Sequence, residues 1–378
     1  MTERRIVRAL LAACALSVLA ACGGSQQVSV NELPPADPEA VREYNAGTRL
    51  LRRGGVRNTR RARARFEQAL TIDPNLWEAR FDLGVLQREA GELDAARSSF
   101  ASVIETAPQR LEPRLAMAEV AYRLGDRREA ADQLRTVLER DPENVNGRLS
   151  LAVILRENED YDEALDAARE VLIRNPQSAP ALLEVGRIYR AREQYEVSRL
   201  VLQKALAIVE EEEARLRAEI LNEQGLLELA RGDTQAAFTA FEGAIAAEAG
   251  FAPARMNMGS VLLRAGDFAG AKSQYESVLQ VSPDRIDARI GLGVALRGEG
   301  DHRAAQRQYE AVLEDDEQNA DALFNMAVLE ADFLDRRPAA RTRFQTYMRV
   351  APSDHPGRSE AERYLREIPD PNAAPPTP

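Results

Sequence analysis

The residue types most often used in nucleophilic and metal chemistry are scarce in this sequence, which has two cysteines and two histidines in 378 residues. Cys14 and Cys22 both lie near the N-terminus, so the rest of the chain has no thiol for a disulfide, a zinc site or a nucleophile. His302 and His355 are far apart in sequence, and we expect both to be solvated surface residues. Because catalytic triads and histidine-ligated metals need converging imidazoles, we predict a non-enzymatic chain with no metal and no cofactor. The small numbers of cysteines and histidines do not exclude an enzyme that uses carboxylates or lysine alone for catalysis.

The first 21 residues have the pattern of a secretion signal. A basic start precedes the apolar run Ala9–Ala21, which is too short to cross a bilayer. Leu19–Gly23 resembles the lipobox of bacterial lipoproteins, which implies cleavage before Cys22 and lipidation of its thiol. Gly23 in place of an aspartate implies sorting to the outer membrane, facing the periplasm. An ordinary secretion signal with Cys22 unmodified, and retention in the inner membrane, remain alternatives.

The charge of the chain argues against nucleic acid as a partner. The net charge is −11, and it becomes −13 when residues 1–21, with three arginines and one glutamate, are removed. Nucleic-acid binding needs a basic footprint on the domain. Residues 22–38 contain two proline clusters and little to bury, so we predict that they form a solvated tether behind the lipidated cysteine.

A fixed period runs through the remaining sequence. Prolines recur every 34 residues at Pro74, Pro108, Pro142 and Pro176. Small residues stand twelve positions before each proline, and in the first two cases a phenylalanine stands eight before it. Glycines recur at the midpoint of the period, at Gly91, Gly125, Gly232, Gly266 and Gly300. A period of this length predicts stacked helical hairpins with a turn glycine between the two helices.

The pattern resembles the tetratricopeptide repeat, a pair of antiparallel helices in which small residues let the two backbones approach each other. The resemblance implies an all-α fold, an α-solenoid superhelix of about nine repeats with a C-terminal capping helix near Ser359–Glu367. We assign residues 39–368 to the solenoid and its cap, and residues 369–378 to a proline-rich tail that does not fold.

In this repeat family, the concave face is lined mainly by the first helix of each pair. Apolar fifth-position residues and arginines near the end of each first helix share that face because helical neighbours recur every three or four residues. We predict a groove for envelope proteins that bind as extended or helical peptides carrying carboxylates. The alternative is that the apolar residues pack inside the solenoid and the arginines only complement the helix dipole. Reversing Arg156 and Arg190 to glutamate is expected to abolish partner binding and to leave the helices folded. The predicted groove residues are Phe81, Arg88, Leu115, Tyr122, Arg123, Leu149, Arg156, Leu183, Arg187, Arg190, Met256, Arg264, Ile290, Arg297 and Phe324.

Eight arginines crowd the first repeat of this acidic chain. They lie near the predicted lipid anchor and so suggest contact with anionic headgroups or with an acidic partner beside the membrane. The alternative is a solvated face that keeps the terminal repeat soluble. The residues are Arg49, Arg52, Arg53, Arg57, Arg60, Arg61, Arg63 and Arg65.

Two other motifs have simpler structural explanations. The Gly291–Gly293 segment looks like the start of a dinucleotide-binding loop, but no strand precedes it and Gly293 occupies the small-residue position of a repeat. We expect the acidic run Glu210–Glu213 to form the solvated face of an extended helix rather than a cation site, since calcium is bound by looped sets of oxygens.

The repeats occupy nearly all of the chain between tether and tail, which favours a non-catalytic, lipid-anchored scaffold in the bacterial envelope. The lipobox, the uninterrupted repeats and the segment Arg341–Pro356 resemble the repeat-bearing outer-membrane lipoproteins of adventurous gliding motility in myxobacteria. That resemblance implies a trans-envelope motility complex as the partner. The alternatives are a pilotin-like assembly factor for a pilus or secretin, and a cell-wall enzyme or a regulator of one. The sequence leaves the oligomeric state undetermined.

Overall fold

The computed structural model describes residues 35–210 and 212–369, and within these ranges the chain forms nineteen α-helices and no strand. The predicted signal segment, Cys22, most of the tether and residues 370–378 of the tail lie outside the described residues. Eighteen helices form nine antiparallel pairs, and the last follows the ninth pair. The prediction of an all-α repeat fold with a capping helix is confirmed. No helix in the described ranges is both long and apolar enough to span a membrane.

The described part of the chain divides into two compact units, residues 35–205 and 206–369. The first unit contains five helix pairs, although the tenth helix continues for three residues past residue 205. The second unit contains four pairs and the final helix. The first ten helices are α1 Pro38–Arg53, α2 Val56–Ile72, α3 Trp77–Glu89, α4 Leu93–Thr106, α5 Glu112–Leu124, α6 Arg127–Arg140, α7 Val145–Glu157, α8 Tyr161–Arg174, α9 Ala179–Ala191 and α10 Tyr195–Ile208. The others are α11 Ala214–Ala230, α12 Thr234–Ala247, α13 Ala252–Ala265, α14 Phe268–Val281, α15 Ile286–Gly298, α16 His302–Asp315, α17 Ala320–Asp332, α18 Arg337–Val350 and α19 Arg358–Glu367.

In six of the pairs, a glycine on the first helix faces a bulky residue on the second. A Cβ added to Gly84 would lie 2.7 Å from the Phe100 ring, and one added to Gly293 would lie 2.4 Å from the Tyr309 ring. Phe100 and Tyr309 are fully buried. Each ring therefore fills the space left by a missing side chain, which fixes how closely the two helices of a pair approach.

The turns inside the pairs explain the midpoint glycines. Gly125 and Gly266 end their helices in the left-handed conformation, with φ of 88° and 78°. Glu159 and Glu193 occupy the corresponding turns of two other pairs with φ of 66° and 59°. Because a side chain is strained there, these two turns are less favourable than their glycine counterparts.

The core of each unit lies within and between its pairs. In the first unit, Leu134, Ile154 and Ile188 belong to one buried cluster. In the second unit, Phe241, Tyr275 and Tyr309 form the centre of another. The final helix α19 covers the end of the last pair, where the Tyr364 ring stacks on Phe344 with centroids 4.7 Å apart.

The acidic run near residue 210 is not part of an extended helix, so the prediction of a solvated helix face there is wrong. Helix α10 ends at Ile208 and α11 begins at Ala214, so Glu210, Glu212 and Glu213 lie in the connection. Carboxylates at a helix C-terminus oppose the helix dipole, which explains why α10 stops before them. Glu211 is outside the described residues.

Candidate partner-binding surfaces

The first helices of the pairs carry the predicted groove residues, and in the first unit their apolar members are buried. Leu115, Leu149 and Leu183 are 8%, 3% and 2% exposed. Phe81 is half-buried and packs against Phe100 with ring centroids 5.7 Å apart. These residues stabilise the solenoid, so the interpretation of this stripe as exposed anchors is corrected for the three leucines.

Three of the predicted groove arginines in the first unit are buried in ion pairs. Arg88 Nη1 lies 2.6 Å from Glu119 Oε2, and Arg156 Nε lies 2.6 Å from Glu184 Oε1. Arg187 also contacts Glu184, at 3.3 Å. All five side chains are more than nine-tenths buried. Their guanidinium groups are therefore not presented to a ligand in this structure, and the Arg156→Glu test would bring two carboxylates together in the interior.

Two neighbouring groove residues are also held by the protein itself. The Tyr122 hydroxyl donates to Glu157 at 2.6 Å, and Tyr122 is only 2% exposed. Arg123 is half-buried and donates to the main-chain oxygen of Arg88 at 2.9 Å. Arg190, at the end of α9, is half-buried. The predicted groove of the first unit thus offers little unpaired positive charge to a carboxylate ligand.

The first unit also holds a perturbed carboxyl group. Burial raises the pKa of Asp82 on α3 to about 6, although a hydrogen bond from the Tyr44 hydroxyl partly opposes this rise. Burial and the nearby Asp82 raise the pKa of the Tyr44 hydroxyl as well. Asp82 therefore changes its charge in a mildly acidic range rather than near its usual pKa of 3.8.

In the second unit, the corresponding side chains remain accessible. Met256, Ser260 and Arg264 follow one another at intervals of four along α13, so they share a face of that helix. Ile290 and Arg297 are seven positions apart, about two turns, and so share a face of α15. Ser260 and Arg264 are exposed, and Met256, Ile290 and Arg297 are half-buried. We call these five residues the unit 2 groove.

The two arginines of the unit 2 groove have no carboxylate partner within the described residues. Arg264 and Arg297 lie in the last turns of α13 and α15. Arg297 Nη1 is fully buried without a hydrogen-bond partner, and so is the hydroxyl of Tyr309, whose pKa burial raises. A guanidinium nitrogen without an acceptor is costly to bury, so Arg297 places positive charge at this helix end that no described carboxylate compensates.

The last predicted groove residue, Phe324, is partly covered by the C-terminal segment. Its ring lies 5.4 Å from that of Tyr347, and a Cβ on Gly357 would come within 2.9 Å of it. The Tyr347 hydroxyl is 2.7 Å from His355 Nδ1, and His355 is half-buried. The prediction of a solvated His355 is therefore wrong, because this imidazole fastens the segment before α19.

The eight arginines of the first pair separate into two groups. Arg63 pairs with Glu67 and Glu92, and Arg65 pairs with Glu43 at 2.6 Å. The other six are exposed and form no ion pair or hydrogen bond through their side chains with any described residue. We call these six the arginine edge: Arg49, Arg52, Arg53, Arg57, Arg60 and Arg61.

Among the described residues, no cluster of three His, Cys, Asp or Glu could hold a metal ion. His302 is half-buried and packs on Phe333, with centroids 4.7 Å apart, rather than lying free in solvent as predicted. A cleft of about 560 Å³ is lined by Leu313, Leu323 and Arg343 among others, and the Arg343 guanidinium is bound to Glu330 at 2.8 Å.

Sequence reasoning missed the carboxylates that occupy the groove of the first unit. Glu119 and Glu184 stand 31 and 28 residues after the arginines that they bind. In both pairs the glutamate stands on a first helix about one repeat after the arginine, a spacing that could have indicated the contact.

The tetratricopeptide repeat is the family whose models match this chain. One model matches residues 115–179, 151–213, 256–302 and 292–340, and a second matches residues 56–110. Together the matches cover more than half of the chain. No curated protein matches it.

Solved structures with a similar fold are distant in sequence. A monomeric mutant of IFIT1 with Gppp-AAAA is 12% identical, with 97% of this chain and 86% of that chain covered and a TM-score of 0.58. Cut9, in the APC/C hetero-tetramer Cut9–Hcn1, is 14% identical with a TM-score of 0.53. That match covers 83% of this chain but 59% of that chain. The type IV pilus biogenesis factor PilW is 19% identical over 56% of this chain and 94% of its own, with a TM-score of 0.45.

Proposed function

Because the chain belongs to the tetratricopeptide repeat family, we propose that it is a non-catalytic scaffold that binds carboxylate-bearing protein segments through the unit 2 groove. Repeats of this kind present extended surfaces to partner proteins. The helices and their turns account for nearly all of the described residues. Binding, rather than a chemical step, is the activity that this architecture supports.

The observation that carries the proposal is the contrast between the two units. Arg88 and Arg156 are neutralised by buried glutamates of the same chain, whereas Arg264 and Arg297 have no such partner among the described residues. Guanidinium groups bind carboxylates with two parallel hydrogen bonds. Met256 and Ile290 lie about two turns before these arginines on the same helices and provide apolar contacts. A peptide with acidic and apolar side chains in alternate positions fits this surface.

The proposed location is the bacterial envelope. Secretion through residues 1–21 and lipidation of Cys22 would attach the scaffold to the outer membrane, with the repeats in the periplasm. Within that setting we propose a motility complex as the partner, on the strength of the sequence resemblance to gliding-motility lipoproteins. Mass spectrometry of the N-terminal peptide tests the anchor: a diacylglyceryl thioether on Cys22 is expected, and an unmodified cysteine contradicts it.

Photo-crosslinking in cells tests the groove. A photoreactive amino acid at Ser260, in the unit 2 groove, is expected to capture partner proteins, and one at Ser273, exposed on the second helix α14, is not. The Ser260 adducts should disappear when Arg264→Glu and Arg297→Glu are introduced. Equal capture from both serines, or adducts that survive the charge reversal, would contradict the proposal.

A further inference from the structure

The arginine edge lies at the turn between α1 and α2, at one end of the first helix pair. Arg49, Arg52 and Arg53 are in the last turns of α1, and the other three are in the first two turns of α2. Gly54 and Gly55 form the turn, both with positive φ, and Val56 follows with 80% of its surface exposed. Positive charge and an exposed apolar side chain therefore meet at one projecting tip.

The three arginines of the edge that lie on α2 oppose local stability, whereas Arg52 and Arg53 in the last turn of α1 complement the dipole of that helix. The first turn of α2 has no acidic residue, and no side chain caps it. The N-terminal end of a helix carries partial positive charge, so Arg57, Arg60 and Arg61 are on the unfavourable side of the dipole. The helix would be more stable with carboxylates there. A ligand with negative charge explains why this end of α2 is basic.

We propose that the arginine edge and Val56 form a contact surface for an anionic lipid bilayer. Arginines close to such a surface are attracted to it, and a small apolar side chain at the centre of the patch enters the headgroup region. The proposal rests on the membrane attachment proposed above and extends it by a second contact. A basic patch is a common second membrane contact beside a lipid anchor.

The dimensions of the chain allow this contact. Helix α1 has 16 residues and is about 24 Å long. The chain enters it at the end opposite the tip. The segment 23–37 can extend to about 50 Å, more than the length of α1. The tip can therefore reach the same surface in which Cys22 would be embedded.

A bilayer fits the charge pattern better than an acidic protein lying along the solenoid. The turn of the next pair carries Glu89, Glu92 and Asp94, all exposed. A protein segment that crossed from the first pair to the second would meet these carboxylates. A bilayer that touches only the terminal pair does not.

Vesicle binding of the full chain with Cys22→Ser tests the proposal, using 30% phosphatidylglycerol in phosphatidylcholine and phosphatidylcholine alone. Arg57→Glu/Arg61→Glu is compared with Arg303→Glu/Arg307→Glu, which makes the same change at matching positions of α16, where both arginines are exposed. Each arginine near an anionic surface contributes about fivefold to partitioning. We expect the edge variant to bind anionic vesicles at least tenfold more weakly than the control, and both to bind neutral vesicles equally.

Thermal unfolding of both variants should be unimpaired, because glutamate is favourable at these positions of each helix. Val56→Asp should weaken anionic-vesicle binding a further two- to fivefold. Equal vesicle binding of the edge variant and the control overturns the proposal. So does a result in which the edge variant loses binding to polyglutamate but not to vesicles, which identifies an acidic protein instead. Because Cys22 is serine throughout, failure of the lipid anchor does not affect this outcome.

Discussion

Arg88 Nη1 lies 2.6 Å from Glu119 Oε2, with both side chains more than nine-tenths buried between first helices of successive pairs. The pair joins two repeats from within, so the charge that a ligand would otherwise contact is already satisfied. The second unit has arginines in the same turns of α13 and α15, and neither of them forms an ion pair with a glutamate among the described residues. One sequence pattern therefore serves packing in the first unit, and in the second it leaves two arginines without a carboxylate partner among the described residues.

Removing one member of the buried pair should destabilise the first unit strongly. Arg88→Met leaves Glu119 charged without a counterion, and we expect a loss of about 3–5 kcal/mol in the free energy of unfolding. Arg88→Met/Glu119→Leu should recover most of that loss. Arg128→Met, at an exposed arginine of α6, is the control and should change stability by less than about 0.5 kcal/mol. Urea denaturation measures all three, and a loss below 1 kcal/mol for Arg88→Met would refute the structural role.

The buried carboxyl of Asp82 should make stability depend on pH. Its pKa is raised to about 6 from 3.8, so the folded state favours the protonated form. The contribution of the Asp82 carboxyl to the free energy of unfolding is fully present below about pH 4 and is lost as the pH rises through 6. Asp82→Asn keeps an acceptor for Tyr44, so it should stabilise by about 1–3 kcal/mol at pH 7 and by little at pH 3.5. Denaturation at the two pH values measures this, and an equal effect at both would show that the charge is not responsible.

Replacing a glutamate that adopts the left-handed conformation in a turn with glycine should increase the stability of the protein. Glu193 has φ of 59° where other pairs have glycine. Glu193→Gly removes the strain, and we expect a gain of about 0.5–1 kcal/mol. Gly125→Ala is the reverse change, at φ of 88°, and should cost about 1 kcal/mol. Thermal melting measures both variants, and a loss of stability in Glu193→Gly would contradict this account of the turns.

The small residue on a first helix and the bulky residue that faces it on the second should tolerate substitution only when both are changed. Gly84→Ala places a Cβ 2.7 Å from the Phe100 ring and should destabilise by about 1–3 kcal/mol. In the third pair, Ala118 and Leu134 occupy the corresponding positions, both fully buried. Gly84→Ala/Phe100→Leu copies that combination and should be more stable than Gly84→Ala alone. If adding Phe100→Leu gives no recovery, the clash is not the cause of the loss.

The sequence predicted the helix pairs well because their determinants are local or strictly periodic. Gly84 with Phe100, Gly125 in its turn and the helix after Pro356 all follow from residue type and spacing. The outcome for the groove was different. Whether Arg88 is a ligand contact or a buried partner depends on a single glutamate of the next repeat, which the period does not specify.

His355 illustrates the same difficulty in another place. Polar residues in a connection are usually exposed, yet Tyr347 and Asp321 lie at 2.7 Å and 3.3 Å from its two ring nitrogens. Both contacts come from helices earlier in the chain. Since periodicity describes one helix pair at a time, it does not report contacts between a connection and a preceding pair.

The affinity of acidic peptides for the unit 2 groove tests the central claim most directly. Fluorescent 12-residue peptides are selected from a random library on the full chain, and their dissociation constants are measured by anisotropy. We expect the selected peptides to combine Asp or Glu with apolar residues, and Arg264→Glu/Arg297→Glu to weaken their binding at least tenfold. Arg303→Glu/Arg307→Glu, with the same charge change, should leave it within twofold. Selection of peptides without acidic residues, or equal binding to both variants, would contradict the account.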